Sequence, residues 1–405
     1  MATEPGSIFT GLDPAASDYA VAAVDRLLET AISSNASDIH IQPRKAGWDV
    51  LFRIDGVLSV ADWIRGGSAG DPVTRLMVLA GLPTYRSTQP MEGRLKWRDE
   101  TAASNEPPSL RLSVFPTVHG PRAVLRVLRK DDRFDTLDSL GLDPKTTAKL
   151  KQLCLQTDGA ILLSGPAGSG KTTTMYSMLR TIAAQRPRRS VITIEDPVES
   201  VIDSISQSEL DPSGGMTLAS ALRSAVRQDS EVLLVSEIRD PETAEAAMQA
   251  SLTGHLIFSS LHATDVAATL RRMIQFAVPS YALQSGIRAV VTQRLLRRCC
   301  DACRDDNQGN GDHPQGRNAL QASDCQACVG TGYRGRVAVA DCIFFDGSDP
   351  VGEALSRAID RDASATQMRT DAIDAGWVDL RSQAETLAQQ GITDMTEVYR
   401  VLGAN

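Results

Sequence analysis

The 405-residue sequence has no stretch approaching the roughly 18 consecutive apolar residues that span a bilayer, although 42% of its residues are hydrophobic. Its first residues, MATEPGSIFTGLDP, lack the basic segment and apolar run of a secretory signal, so a cytoplasmic protein is expected. Positive charge is short as well: 42 basic side chains face 50 acidic ones, for a net charge of −8. Non-specific attachment to a nucleic-acid backbone needs a concentrated positive surface, so no direct nucleic-acid partner is expected. Lysine is scarce, 7 residues against 35 arginines. Codon usage produces such an excess as readily as function does, yet a planar bidentate donor suits phosphate recognition better than a point charge. Internal repeats with a period of about 20 to 50 residues are absent. With 42% apolar and 23% charged residues the chain is not a disordered one. At about 150 residues per domain, two to three domains are expected.

Residues 1–18 are small and polar and read as a flexible arm. From Tyr19 the run YAVAAVDRLLETAISSNA has helical spacing and ends in a stop signal. Asp38 to Val60 alternates apolar and polar residues around a turn at Lys45 to Gly47, which predicts a hairpin, and Leu110 to Leu128 repeats the pattern around HisGlyPro. A small α+β domain over 19–130 follows, then a charged connector opening a linker over 131–157. Short apolar runs at 158–164, 190–195, 231–236, 255–260 and 337–345 are interspersed with helical segments. That alternation predicts an α/β core over 158–298 with a largely parallel sheet covered on both faces. A tetracysteine element over 299–336 contains the polar, glycine-rich loop RDDNQGNGDHPQGRNALQASD, and a mainly helical C-terminal region covers 337–405, with GlyIleThr at 391–393 between two helices.

Gly165-Pro166-Ala167-Gly168-Ser169-Gly170-Lys171-Thr172 matches GxxxxGK[ST] at every position, after a predicted strand and before a predicted helix, and Thr173 follows it. Glycines let backbone N–H groups converge on phosphate oxygens, and the helix N-terminus adds partial positive charge. Lys171 is expected at the β- and γ-phosphates of ATP and Thr172 on Mg²⁺. A carboxylate must also position the attacking water. Glu237 ends the apolar run 232–235, and Glu195 ends the run before it; the plainer role for either is a helix cap or a solvated loop. His255 and His262 bracket the next strand beside one predicted sheet edge, where one of them could sense phosphate occupancy.

Cys300-x₂-Cys303 and Cys325-x₂-Cys328 lie 21 residues apart, near the spacing of a four-thiolate Zn²⁺ site. A redox pair or free thiols are the alternatives. Cys299 adjoins the first pair, and Cys154 and Cys342 sit in apolar runs as small hydrophobes.

Together these segments resemble the secretion ATPases of the type II secretion and type IV pilus assembly family over roughly residues 20–405. GPAGSGKTTTMY looks like the family's Walker A, ITIEDPVE at 192–199 like its Asp box, RQDSEVLLVSEIRD at 227–240 like its Walker B region and TGHLIFSSLH at 253–262 like its His box; SDIHIQP and FRIDGVL look like elements of its N-terminal domain. The resemblance implies Glu237 as the water-activating glutamate, Glu195 supporting the metal-water shell, and His255 and His262 as the His-box pair. It implies Arg111 and Arg126 offered by the N-terminal domain to the γ-phosphate, Arg227 as a third phosphate-side arginine and Arg336 as a fourth, supplied by a neighbouring subunit. A solvated strand position is the plain alternative for Arg111, Arg126 and Arg336. The resemblance also implies a homohexamer working with inner-membrane secretion or pilus platform proteins, with peripheral membrane association through them. A related DNA-transfer motor and a nucleotide-binding scaffold with little turnover are the other functions considered.

The sequence departs from the family pattern at Asp229-Ser230-Glu231, where AspProAsp is usual, and at Ser236, where Gly is usual; Gln42 and Pro121 each replace a Glu. Glu231 keeps the charge but moves the carboxylate by a methylene, whereas Ser236 adds a side chain close to the phosphates, so slower hydrolysis is expected. Only about 36 residues precede SerAspIleHis, where many members of the family carry a further N-terminal domain for docking, so the family's usual docking partner is not carried over to this chain as an expectation.

Overall fold

The computed structural model describes residues 7–66, 71–85, 89–95, 97, 109–128, 132–211, 214–303, 325, 327, 328 and 330–404. The chain divides into two units, Met1–Lys130 and Asp131–Asn405.

In the first unit, α1 (Tyr19–Ser33) buries Tyr19, Ala23, Val24, Leu27, Leu28 and Ala31, a stripe at three- and four-residue intervals. α2 (Pro72–Leu79) is capped by Asp71, whose carboxylate accepts from the Val73 N–H at 2.8 Å. Both helices cover one face of an antiparallel sheet built from β1 (Asp38–Arg44), β2 (Gly47–Ile54), β3 (Val57–Arg65), β4 (Met91–Leu95), β5 (Ser109–Thr117) and β6 (Gly120–Leu128), in the order β3-β2-β1-β6-β5-β4. Ile39, Ile41, Val50, Leu110, Leu112 and Leu125 are fully buried on the helix side. Each such side chain contributes about 1.5–3 kcal/mol.

Two expectations change here. The hairpin over 38–60 is a three-stranded meander, because Asp55 (φ 48°) and Gly56 (φ 84°) form a second two-residue turn and the chain returns as β3. The described part of the expected flexible arm is docked: Phe9 is buried, and the Asp62 carboxylate on β3 accepts from the Ser7 hydroxyl at 2.8 Å and the Ile8 N–H at 2.5 Å. Residues 1–6 lie outside the described residues.

The second unit is a seven-stranded sheet of β7 (Gly159–Ser164), β8 (Val191–Glu195), β9 (Ser206–Glu209), β10 (Val232–Val235), β11 (Leu256–Leu261), β12 (Ile287–Cys299) and β13 (Tyr333–Phe344), ordered β13-β12-β7-β11-β10-β8-β9. All neighbours are parallel except the β12–β13 pair. Ile161, Leu163, Leu234 and Phe258 face α3 (Pro144–Leu153) and α4 (Lys171–Ala183). Alternate residues Ala160, Leu162, Leu233 and Ile257 face α5 (Leu218–Ala225), α6 (Pro241–Leu252), α7 (Val266–Gln275), α8 (Ser280–Gly286), α9 (Pro350–Asp360) and α10 (Ala365–Asp374). Burial on both faces explains the continuous apolar runs of the parallel strands.

β9 and β12 were not anticipated. The polar sequence of β9 and the Gln293, Arg294, Arg297 and Arg298 of β12 hide any apolar alternation. The stretch expected as a linker over 131–157 instead carries α3 and buries Leu137, Leu150 and Leu153 in the core. Lys130, Asp131 and the polar loop at 304–324 lie outside the described residues.

β12 and β13 project past the rest of the sheet, and α11 (Leu380–Gln389) and α12 (Met395–Leu402) pack on them through Leu296, Val339, Leu380, Ala384 and Val398. GlyIleThr at 391–393 does separate these two helices, and it also binds the strand: the Cys299 N–H donates to the Ile392 carbonyl at 2.8 Å, and the Thr393 hydroxyl donates to the Arg297 carbonyl at 2.9 Å. The fully buried Glu397 accepts from the Arg297 N–H and Nε, both at 2.9 Å, and from Arg400 Nε at 2.7 Å. The Arg297 guanidinium lies 3.7 Å from the centre of the Tyr333 ring.

Burial alone would raise the Glu397 carboxyl, but hydrogen bonds from Arg400 and Arg297 outweigh it and hold it below its ordinary value. A depressed carboxyl contributes stability above its unfolded pKa of about 4.3 and loses it as pH falls through the folded value. Glu397→Ala is therefore expected to cost about 3 kcal/mol near neutral pH, the lower end for a broken buried pair because Arg400 can regain water. Urea unfolding of both proteins should show that difference shrinking at about pH 3.

Candidate functional site

The site forms where β7 ends. Gly165 (φ 154°), Gly168 (φ 73°) and Gly170 (φ 90°) turn the chain out of the strand and into α4. At Gly165 a side chain has no room: a Cβ would come within 2.5 Å of the Ser169 hydroxyl and 2.6 Å of the Gln293 carbonyl. At Gly170 it would meet the Gln293 amide nitrogen at 2.6 Å, in a backbone region that glycine alone enters without strain. Ser169 is buried, while Pro166, Ala167 and Thr173 are exposed. Lys171 is only 8% exposed, and its ammonium donates to the carbonyls of Gly165 at 2.7 Å and Pro166 at 3.1 Å. Thr172, half-buried, stands beside it in the first turn of α4.

Two carboxylate groups meet this loop differently. Glu237 follows β10, and its carboxylate lies 3.2 Å from His262 Nε2 and accepts from Arg239 Nε at 3.0 Å; Arg239 also reaches Asp196 at 3.6 Å. The other His262 nitrogen, Nδ1, lies 3.3 Å from the Gly165 carbonyl. One imidazole thus connects the phosphate loop to Glu237, with an acceptor at each ring nitrogen. Glu195, in contrast, is 2% exposed and enclosed by the Tyr176 hydroxyl, the Thr193 hydroxyl at 2.5 Å and the Gln207 amide at 3.0 Å. The Tyr176 oxygen accepts from the Glu199 N–H at 3.1 Å, so Glu195 shapes the turn that follows it from behind. Glu199, not singled out in the sequence, interacts electrostatically with Lys171.

Several predicted residues lie elsewhere. His255 and His262 are at opposite ends of β11, about 20 Å apart for a six-residue strand, and the His255 carbonyl accepts from the N–H of Gly159 at the amino end of β7. The two histidines therefore do not share a sheet edge. Arg227 sits on the turn entering the amino end of β10, donating to the Arg223 carbonyl at 2.8 Å, and is not brought to the loop. Ser230 and Glu231 are on the same turn: the Ser230 hydroxyl caps the Ala225 carbonyl at 3.0 Å, and the Glu231 carboxylate accepts from the Ser190 N–H at 2.9 Å. Ser236, the departure expected close to the phosphates, stands at the carboxyl edge of the sheet, its carbonyl accepting from the Ser260 hydroxyl at 2.8 Å.

In the first unit, Arg94, Arg111 and Arg126 occupy directly opposed positions on β4, β5 and β6, and Asp38 separates them from Arg53 on β2. Like charges directly opposite destabilise a sheet. Glu92 at 2.8 Å from Arg111, and Asp38 at 3.5 Å from both Arg126 and Arg53, offset part of that repulsion. Such a row fits an anionic ligand; Arg53 and Arg94 were missed because their neighbours appear only when strands are paired. Arg336 is exposed on β13, opposite Arg297.

The four predicted thiols converge. All Sγ atoms of Cys300, Cys303, Cys325 and Cys328 lie within 4.8 Å of one another, with Cys300–Cys325 at 4.0 Å and Cys303–Cys328 at 3.7 Å. A tetrahedron with Zn–S bonds of about 2.3 Å has edges of about 3.8 Å. The Gly332 N–H points at the Cys328 sulfur at 3.2 Å. Cys299, the residue before Cys300, is buried, forms no disulfide and is not a member of the cluster among the described residues.

A profile of the family described as "Type II/IV secretion system protein" matches residues 15–400. The chain is similar to the type IV pilus assembly ATPase PilB of Thermus thermophilus, 34% identical over 385 residues, covering 93% of this chain and 42% of that one. It is similar to the type II secretion system protein HxcR of Pseudomonas aeruginosa, 35% identical over 93% of this chain and 76% of that one, and to the type II secretion system protein E of Klebsiella pneumoniae, 35% identical over 93% and 75%. The chain thus spans less than half of the Thermus protein and about three quarters of the other two. Among solved structures, its fold is like that of the Legionella pneumophila ATPase DotB (TM-score 0.71, 23% identity, 94% of this chain and 95% of that one) and of the pilus retraction motor PilT with bound ADP (TM-score 0.60, 23% identity, 93% and 96%).

Burial strips water from the Lys171 ammonium and brings its pKa down to about 8, with the Arg294 charge adding to the effect and Glu237 and Glu199 opposing it. A bound phosphate favours the ammonium, so binding takes up a proton above that value and affinity falls as pH rises through it. Calorimetric titration with Mg·ADP should show roughly tenfold weaker binding at pH 9 than at pH 7; equal affinity at both would contradict this account of Lys171.

Proposed function

The chain belongs to the type II/IV secretion system protein family, and on that premise we propose that it is an ATP hydrolase powering pseudopilin or pilin assembly in type II secretion or type IV pilus biogenesis. The observation that carries this reading is the convergence of Lys171 and His262 on the Gly165 carbonyl, with Glu237 on the far nitrogen of the same imidazole.

In this mechanism the loop N–H groups and Lys171 hold the β- and γ-phosphates of ATP. Thr172 would hold Mg²⁺, which supplies charge neutralisation between those phosphates. Glu237 accepts the proton of the attacking water; Arg239 and His262 fix its two oxygens, and the shared imidazole makes its position sensitive to the loop. Glu195 acts through Tyr176 on the turn carrying Glu199. Arg111 and Arg126 are proposed to meet developing negative charge on the γ-phosphate, and Arg336 that of a neighbouring subunit's nucleotide. Arg227 and His255 have no part in this scheme. The working division is an α+β domain over 19–130, a P-loop (RecA-like) ATPase core that takes in α3 and continues over 158–298, the cysteine element over 299–336 and the helical region over 337–405.

The proposed assembly is a homohexamer acting on inner-membrane platform proteins from the cytoplasmic side. Among the described residues no helix is long and apolar enough to cross a membrane. The cysteine spacing supports one structural Zn²⁺ per chain, joining the two ends of the 304–324 loop.

Glu237→Gln is expected to lower ATP turnover at least about 100-fold, measured as phosphate release; a wild-type rate no greater than the variant's would leave a nucleotide-binding scaffold. Elemental analysis should find about one zinc per chain, lost when Cys300 and Cys328 are both changed to Ser. A metal-free wild-type protein would sink the four-thiolate assignment.

A further inference from the structure

β12 does not stop where its partner does. Its pairing with β7 runs from Ile287–Ala160 to Thr292–Ser164; there β7 becomes the phosphate loop, while β12 continues through Gln293 and Arg294 to Cys299, next to the first clustered thiol. Gln293 lies at the divergence and is 3% exposed. Its main-chain oxygen closes the space beside Gly165, and its side-chain nitrogen closes the space beside Gly170. Its side-chain oxygen accepts from the Thr174 hydroxyl at 2.8 Å, and Thr174 is fully buried one turn into α4. Arg294 Nη1 donates to the Gln293 carbonyl at 2.9 Å, and its Nη2 donates to the Thr264 carbonyl at 2.8 Å, which ties this point to the segment after His262.

We propose that Gln293 is a positioning residue of the nucleotide site, clasping Gly165, Gly170 and Thr174 so that the phosphate loop keeps its binding pitch. The inference rests on the reading of that loop as a nucleotide site. Lys171 lies between the two clasped glycines and the clasped threonine, so a change in loop pitch moves the ammonium and the converging N–H groups together. The Thr174 hydroxyl has one acceptor from another element, and removing that acceptor leaves a buried donor unpaired; replacing both partners by apolar groups of similar shape removes that penalty. Stability and positioning can therefore be separated. The same strand ends at the cysteine cluster and is held there by Ile392, so the clasp is fixed at its far end as well.

The test uses the full chain, with Mg·ADP affinity by calorimetry and thermal unfolding of the nucleotide-free protein. Gln293→Leu and Thr174→Val should each weaken binding about tenfold. The double variant should bind no more weakly than either single one, since both remove the same bond, yet should unfold at a higher temperature than either. Thr174→Ser, which keeps the hydroxyl, should bind as the wild type does. Unchanged affinity in the single variants, losses that add, or affinity recovering in step with thermal stability in the double variant would overturn the positioning role. A wild-type chain that binds no ADP would overturn the functional reading itself, whatever the variants do.

Discussion

Four separate parts of the second unit meet on the peptide of Gly165. Its Cα has no space for a side chain because Ser169 and Gln293 close on it, and its carbonyl draws both the Lys171 ammonium and the His262 imidazole. Glycine is required for the first reason, and the second makes the loop the meeting point of β7, α4, β11 and β12. Through His262 the same peptide is coupled to Glu237 after β10. In the proposed mechanism a substitution at Gly165 would therefore disturb phosphate binding and water activation together, rather than one of them.

The direction of the strands sorts the remaining residues. At the carboxyl ends of β7, β10 and β11 stand Lys171, Glu237 and His262; at the amino ends of β7 and β11 lies His255, and Arg227, Ser230 and Glu231 lie at the amino end of β10. In open parallel sheets ligands bind at the carboxyl ends, so the departures at 230 and 231 lie at the opposite edge from the proposed nucleotide site and act as local packing. Their hydrogen bonds to Ala225 and Ser190 secure the entry to β10. The projecting β12–β13 pair lies past the carboxyl edge, with the cysteine cluster at its tip and the Glu397 ion pairs at its side.

The phosphate loop was legible in the sequence because its spacing encodes its backbone: each glycine stands where a left-handed or crowded conformation occurs. The four cysteines were legible for a similar reason, since each CxxC turn fixes two sulfurs by local geometry alone. Gln293, Glu199 and the row formed by Arg94, Arg111 and Arg126 were less visible, or not visible at all, because they acquire meaning from strand pairing and helix packing between distant segments. Glu195 was misleading: an acidic residue after a buried strand resembles a solvent-facing carboxylate, yet Tyr176, from α4, and Gln207, from the unforeseen β9, enclose it. β12 was hidden because a strand carrying polar residues to the phosphate loop loses the apolar alternation by which strands are read.

The account turns on where a bound nucleotide places its phosphates. A crystal structure with Mg²⁺ and a non-hydrolysable ATP analogue tests it most directly. The β- and γ-phosphates should lie within hydrogen-bond distance of the loop N–H groups and of a Lys171 ammonium released from the Gly165 carbonyl, with Glu237 facing the γ-phosphate. Phosphates bound elsewhere, or a Lys171 still on that carbonyl with the nucleotide in place, would contradict it.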